Sequence, residues 1–321
     1  MNLEILILMD YNNSDKYKKI IDARLNQIYV DGPNLLKKPI NHIIHGGKRL
    51  RPILCVLSNE ACNGKLEDVI SPAVSIELLH IFSLIHDDIM DDDQIRHNKQ
   101  TIHSKWNIPV GILAGDAVLA LAFKELNNSS NLIKEKFNSA LIAVCEGQAL
   151  DIEYENTKSL TLEKYLDMIN LKTAYMIGLS AELGAIVSGV DKSISDLFKN
   201  LGLLIGKAFQ LQDDLLEVTS TSQKMGKTLN SDIILSKKTY LFLTAEKKYP
   251  NHLDQIYLNN KNDINKLNNE VKSFLNNTEI INDCKDNISL IFEEINECLN
   301  QLNINNSQFA YFVNNIRKRE F

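Results

Sequence analysis

Two acid clusters, Asp87-Asp88-Ile89-Met90-Asp91 and Asp213-Asp214-Leu215-Leu216-Glu217, begin 126 positions apart in a chain of otherwise apolar patterning. Each places carboxylates at i, i+1 and i+4, and residues four apart share one face of a helix. Each cluster is therefore a compact patch of negative charge. Like charges at that spacing cost an isolated helix roughly 0.2–0.5 kcal/mol per pair. Building the patch twice makes physical sense where a cation compensates it. Hard carboxylate oxygens suit Mg²⁺, which accepts a few carboxylates and completes its shell with water and substrate phosphates. The spacing points to Mg²⁺-dependent chemistry on a diphosphate.

The residues around the acids reinforce this. His80, Asp87 and Asp91 are seven and four apart, and at 100° per residue they fall within about 40° of one another. Gln210, Asp213, Asp214 and Glu217 repeat the pattern, embedded among Ala208-Phe209, Leu211 and Leu215-Leu216. Acids set in apolar sequence predict a cavity wall rather than a solvated face. Basic groups supply the complement. Gly46-Gly47-Lys48-Arg49-Leu50-Arg51-Pro52 places three cations behind two glycines, where backbone can approach a ligand closely. Arg presents a planar fork to phosphate oxygens and Lys a point charge. Arg96, Lys99, Lys172-Thr173, Gly226-Lys227 and Lys237-Lys238-Thr239 are further cations. Each alone is ordinary surface charge. The small polar stretch Val218 to Ser222, with Gly226-Lys227 beyond it, reads as a mobile loop of the kind that closes over a reacting ligand.

Helices must position these groups. Only 6 prolines and 13 glycines punctuate the chain, and the segments between them follow a 3.6-residue period rather than alternation. Ser71-Pro72 has the form of a helix start, Ser as N-cap and Pro at N1. The apolar run Val74, Leu78, Ile81, Phe82, Ile85, Ile89 follows. A second long helix is predicted over about 197–218, with helical stretches near 112–126, 132–156, 161–171 and 173–189. The Asn-, Lys- and Glu-rich segment 251–306 reads as surface helix at the edge of the fold. No strand–helix alternation, repeat or Gly/Ser linker occurs. The predicted architecture is all-α, one large helical bundle around a deep central cavity, forming a single domain over 1–321 with its motifs in about 40–240.

The 44% hydrophobic content supports a large core, and the net charge of −6 excludes a basic nucleic-acid footprint. Five cysteines, odd in number and never in Cys-x-x-Cys, read as reduced thiols in a cytoplasmic protein. The apolar run in Met1–Met9 is shorter than the roughly 20 residues needed to cross a bilayer, so no transmembrane segment is predicted.

Taken together, Gly-Gly-Lys-Arg-Leu-Arg-Pro (46–52), Glu77-Leu-Leu-His80, His86-Asp-Asp-Ile-Met-Asp91, Ala114-Gly-Asp116, Glu146-Gly-Gln148 with Asp151, Lys172-Thr173, Phe209 through Glu217, Gly226-Lys227 and Asp232 through Thr239 resemble the trans-isoprenyl diphosphate synthase (polyprenyl synthetase) family. The resemblance implies the isoprenoid synthase bundle, usually a homodimer, joining isopentenyl diphosphate to an allylic diphosphate. It implies Asp87, Asp91 and Asp213 as Mg²⁺ ligands, with Asp88, Asp214 and Glu217 assisting, and three ions per site. By it, Arg96, Lys172, Thr173, Gln210, Lys227 and Lys237 grip the allylic diphosphate. Lys48, Arg51, His80 and His97 bind isopentenyl diphosphate.

The chain departs from the family pattern in places. Arg96-His97-Asn98 replaces the usual Arg-Arg-Gly, Glu217 stands where Asp is common, and Ser236 replaces Gly. In this family, bulk just before the first acid motif limits product growth. Phe82 and Ser83, five and four residues before Asp87 with no insertion inside the motif, imply a short-chain product, C20 ahead of C15. Helical geometry alone puts Ser83 on the aspartate side; the role of Phe82 rests on the resemblance. The competing readings are a class I terpene cyclase and a non-catalytic partner subunit of a synthase. Retention of both acid clusters and of Lys48, Arg51 and His80 weighs against each.

Overall fold

The computed structural model describes residues 3–29, 31–96, 98–155, 157, 159–219, 231–234, 237–304 and 307–318. In chain order the helices are α1 (Leu3–Leu25), α2 (Asn34–Ile44), α3 (Leu50–Ala61), α4 (Leu66–Met90), α5 (Ile102–Lys105), α6 (Ile108–Glu125), α7 (Asn131–Glu155) and α8 (Leu162–Ile169). A π turn (Asn170–Ala174) runs straight into α9 (Tyr175–Val187). Then come α10 (Lys192–Thr219), α11 (Ser231–Ile234), α12 (Tyr240–Lys248), α13 (His252–Asn259), α14 (Ile264–Asn276), α15 (Ile280–Gln301) and α16 (Gln308–Arg317). Among the described residues the only strands are β1 (Ile95–Arg96) and β2 (Lys99–Gln100), a short antiparallel ladder just beyond the first acid cluster. The predicted all-α class holds.

Local chemistry sets several helix starts. Asn107 caps α6, its side chain accepting from Val110 N at 2.9 Å, with a proline in the first turn. Thr161 and Asp263 cap α8 and α14 in the same way, each satisfying an otherwise orphaned N–H.

The middle of the fold is α9, whose residues Met176 to Ala185 are all buried. A helix apolar on every side is a core helix, and α3, α4, α7 and α10 pack around it. α4 also packs on α3 and α6, and α10 on α15. One continuous apolar cluster runs from Tyr17 to Ile316. α4 is long and apolar enough to cross a membrane by length and composition, yet 67% of its most apolar stretch is buried in the bundle.

Three expectations about elements are corrected. Ser71-Pro72 does not start a helix: α4 begins at Leu66, and Pro72 sits inside it, buried. Leu66 to Ile70 supply a first turn and a half ahead of it, and Val69 is already anchored in the core. The break between the helices near 161–171 and 173–189 is a π turn in a continuous helical path. The 251–306 segment is more than edge: α15 buries Ile281, Cys284, Ile288, Ile291, Ile295 and Leu299 along one stripe against α10. Its opposite face carries the Asn, Asp and Glu that dominate the composition.

Candidate active site

The C-terminal turn of α4 carries the first acid cluster. Asp87 and Asp91 are partly exposed, their side chains 21% and 18% accessible. Lysines from two other elements reach them. Lys172 Nζ lies 3.3 Å from Asp87 Oδ1 and 2.6 Å from Asp151 Oδ2 on α7. Lys237 Nζ lies 3.7 Å from Asp91 Oδ2. Burial works to lower the Lys172 pKa, but the charges of Asp87 and Asp151 outweigh it and hold the ammonium above its ordinary value. Burial, then the charge of Asp87, pushes the Asp91 carboxyl up.

The second cluster lies across the same space. Thr173, next to Lys172, donates from Oγ1 to Gln210 Oε1 on α10 at 3.0 Å. One π turn thus touches Asp87 with one residue and α10 with the next. From the other side, Lys237 reaches Asp91 while Tyr240 N donates to Asp214 Oδ2 at 3.2 Å. A chain segment spans at most about 3.3–3.6 Å per residue, so the short run from Lys237 to Tyr240 keeps the two clusters close together. Asp213 is partly exposed, and its charge acts on Arg51.

The second acid of each pair is engaged by the protein. Asp88 is buried, 1% exposed, and bonds to Arg96 Nε, while Arg96 Nη2 reaches Asp93 Oδ2 at 3.1 Å. Burial pushes the Asp88 carboxyl up to about 6, against the pull of Arg96. Asp214, also buried, accepts from Tyr165 OH, Tyr240 N and Gln210 Nε2. Glu217 is buried as well. As placed, Asp88 and Asp214 are held by other protein groups, and Arg96 pairs with Asp88 and Asp93 here.

The π turn is positioned by glycine on both sides. A Cβ on Gly147 of α7 would lie 2.3 Å from Lys172 N, and one on Gly206 of α10 would lie 2.5 Å from Ala174 Cα. Only hydrogen fits at either place, and the close approach aims Lys172 and Thr173 inward. π turns interrupting α-helices recur at functional sites.

A cavity of about 320 Å³ extends from Asp87, Lys172 and Thr173 between α4 and α7. Arg51 and His80 line its wall, Arg51 Nη1 donating to His80 Nε2 at 3.2 Å. Arginine has no acceptor to offer, so His80 receives with an unprotonated Nε2. Burial lowers the Arg51 pKa, opposed by the charges of Glu77 and Asp213. Further along, Phe82, Leu84, Val144, Ala149, Ile152 and Met176 make the lining largely apolar, with Ser83 and His86 among them. Ser83 faces the cavity as helical geometry requires, and Phe82 reaches it too.

Arg49 belongs elsewhere. It is buried with a left-handed backbone, φ 56°, and binds Glu77 Oε1 at 2.7 Å and Asp22 Oδ1 at 2.8 Å. Burial would lower its pKa, but those two carboxylates keep it raised. It ties α1, α3 and α4 together. Lys48, the residue before it, is exposed at the start of α3. Val218 and Thr219, expected to open a mobile loop, instead end α10; residues 220–222 of that stretch, His97, Lys227 and Ser236 lie outside the described residues.

Sequence reasoning missed Tyr165 and Tyr240 as partners of Asp214, and Glu77 and Asp22 as partners of Arg49. Asp151 was visible as part of the family pattern, without a role. None of these pairs has a short-range spacing that could have signalled it.

The carboxylate donors suit a hard divalent ion. Among the described residues no three His, Cys, Asp or Glu side chains stand close enough to hold an ion alone. Instead lysine ammoniums sit against Asp87 and Asp91, marking the places where positive charge is needed.

The structure is a helical bundle in which two acid clusters are bridged by Lys172-Thr173 and by Lys237 to Tyr240, beside a cavity lined by Arg51 and His80, and comparison with known proteins gives its class. Residues 33–274 match the polyprenyl synthetase family model. A short chain isoprenyl diphosphate synthase of Methanothermobacter thermautotrophicus is 40% identical over 237 residues, covering 72% of this chain and 73% of the relative. A geranylgeranyl pyrophosphate synthase of Geoglobus acetivorans is 36% identical, covering 71% and 73%. A crystal structure of geranylgeranyl pyrophosphate synthetase from Pyrococcus horikoshii superposes with TM-score 0.88 at 29% identity, over 98% of this chain and 99% of that one. The chain belongs to the polyprenyl synthetase family. It is a prenyltransferase, an isoprenyl diphosphate synthase.

Proposed function

We propose that this enzyme is a short-chain trans-prenyl diphosphate synthase. It condenses isopentenyl diphosphate with an allylic diphosphate in a Mg²⁺-dependent head-to-tail reaction, with C20 favoured over C15 as product. The observation that carries this is the pair of bridges between the two acid clusters, Lys172 at Asp87 beside Thr173 at Gln210 and Lys237 at Asp91 close to Tyr240 at Asp214, with a cavity leading away from Asp87 past Ser83 and Phe82. Relatives named for short-chain and geranylgeranyl products support the product class.

Asp87, Asp91 and Asp213 would hold Mg²⁺, three ions per site, with Asp88, Asp214 and Glu217 behind them, and the metal would supply positive charge against the departing diphosphate. Lys172, Thr173, Gln210 and Lys237, with Arg96 and Lys227, grip the allylic diphosphate. Their fixed charges and donors are worth most where charge develops as the C–O bond breaks. Lys172 releases Asp87 and Asp151 to do this, so it changes partner rather than entering from solvent. The apolar walls around Phe82, Val144 and Ile152 keep water from the allylic cation. Lys48, Arg51 and His80, with His97, hold isopentenyl diphosphate so that its double bond lies against that carbon. Proton loss to the released diphosphate completes the reaction without a protein base.

The whole chain acts as one domain, in the cytoplasm, as a homodimer. Exposed Ile112, Leu113 and Phe123 on α6 and Ile142 on α7 supply an apolar face for a second copy. Incubating pure protein with Mg²⁺, labelled isopentenyl diphosphate and each of the C5, C10 and C15 allylic diphosphates, then sizing the products, tests the proposal. A defined product ending at C20 supports it. Cyclic hydrocarbon, or no elongation from any starter, overturns it.

A further inference from the structure

Phe82 does not stand alone at the cavity. Its ring meets the ring of His86, one turn on along α4, edge to face, with centroids 4.7 Å apart and planes at 62°. Both rings line the cavity. The other side of the His86 ring is set by α6, where a Cβ on Gly115 would lie 2.3 Å from His86 Nε2 and 2.6 Å from Cδ2. That imidazole therefore rests in the notch that Gly115 leaves. Ile112 O, 3.5 Å from Nε2, and Asp116 Oδ1, 3.9 Å away, flank the notch from the same helix. The contact is close because α6 presents glycine twice, one turn apart: a Cβ on Gly111 would lie 2.8 Å from Ile89 Cδ1.

We propose that His86 is a positioning residue for product length, its ring seated in the Gly115 notch and backing Phe82 at the cavity wall. The inference rests on the prenyl-transfer reading of this cavity. An aromatic ring packed on both sides cannot swing without emptying one contact, and interiors tolerate such gaps poorly. Removing the imidazole frees Phe82 to rotate back toward α6, which lengthens the space for a growing prenyl tail. Filling the notch does the opposite. The atom that a Gly115 methyl meets is the far end of a side chain, so the His86 ring gives way and is driven toward Phe82 and the cavity.

The test is product sizing for wild type, His86→Ala, His86→Phe, Gly115→Ala and the Gly115→Ala/His86→Ala double variant. His86→Ala is expected to shift the main product at least one C5 unit longer, and His86→Phe, which restores an aromatic backing, to return the wild-type length. Gly115→Ala is expected to shift the distribution one C5 unit shorter. In the double variant that shortening should vanish, because the ring that transmits it is gone. Wild-type product length in His86→Ala, or equal shortening by Gly115→Ala with and without the imidazole, overturns the proposal. A fall in total activity at fixed product length does so too, since that is what a purely structural role would give. The wild-type product alone judges the C20 assignment. The shifts between variants judge His86, whatever that length is.

Discussion

Replacing Gly147 with alanine should disable the site from behind. The added Cβ would stand 2.3 Å from Lys172 N and 2.7 Å from Lys172 Cα. These are backbone atoms with no rotamer to yield. Restoring an ordinary contact of 3.4 Å or more requires α7 and the π turn to separate by about 1 Å, a displacement that can cost about 100-fold in rate when it reaches reacting groups. Lys172 and Thr173 ride on that turn, so Asp87, Asp151 and Gln210 all lose register with it. Overpacking also destabilises by about 1–3 kcal/mol, which leaves a folded protein to assay. The expected result is a fall of about 100-fold in kcat/KM for the allylic diphosphate, with helical circular dichroism unchanged. A folded Gly147→Ala enzyme within threefold of wild type would refute the claim that this glycine contact aims Lys172.

Other perturbations separate bracing from chemistry. Glu77→Ala leaves Arg49 buried with only Asp22 as its carboxylate partner, and should lower stability by about 3 kcal/mol in urea unfolding; an unchanged midpoint would deny the pair its structural role. Tyr165→Phe removes a donor from buried Asp214 and should cost about 1–3 kcal/mol, read in the same way. Phe82→Ala should lengthen the product, and unchanged chromatography of the prenyl alcohols would count against it. Chelation by EDTA should abolish turnover while leaving helical content intact, because Lys172 and Lys237 already neutralise the first acid cluster; unfolding on chelation would contradict that.

Much of the site was legible because its chemistry is helical and local. Spacings of four and seven put His80, Asp87 and Asp91 on one stripe, and the structure sets His80 and Asp87 in one cavity wall. The apolar residues flanking the second cluster, Ala208 and Leu211 among them, are buried in the core as their pattern implies. What sequence could not show is the sharing of labour within each acid pair. Asp87 and Asp88 are chemically identical, and only the fold turns one toward Lys172 and the other toward Arg96. Arg49 and Arg51 divide likewise: a left-handed residue at 49 sends one guanidinium into a buried ion triad, and the next turn sends the other to His80. The π turn has no residue signature, since its cause is the pair of glycines on α7 and α10 between which it is pressed. Ser71-Pro72 misled because Pro72, the seventh residue of α4, gives up only one intrahelical hydrogen bond, and the upstream turn forms regardless with Val69 anchored in the core.

The most direct measurement is Mg²⁺-dependent turnover in Asp87→Ala, Asp91→Ala and Asp213→Ala, each titrated with Mg²⁺ and compared with wild type. If both walls hold the ions that draw off the diphosphate, every variant loses about 1,000-fold or more in kcat, a loss of about 4 kcal/mol in transition-state stabilisation. An Asp213→Ala enzyme that keeps wild-type turnover and Mg²⁺ dependence would show that the second wall holds no catalytic ion.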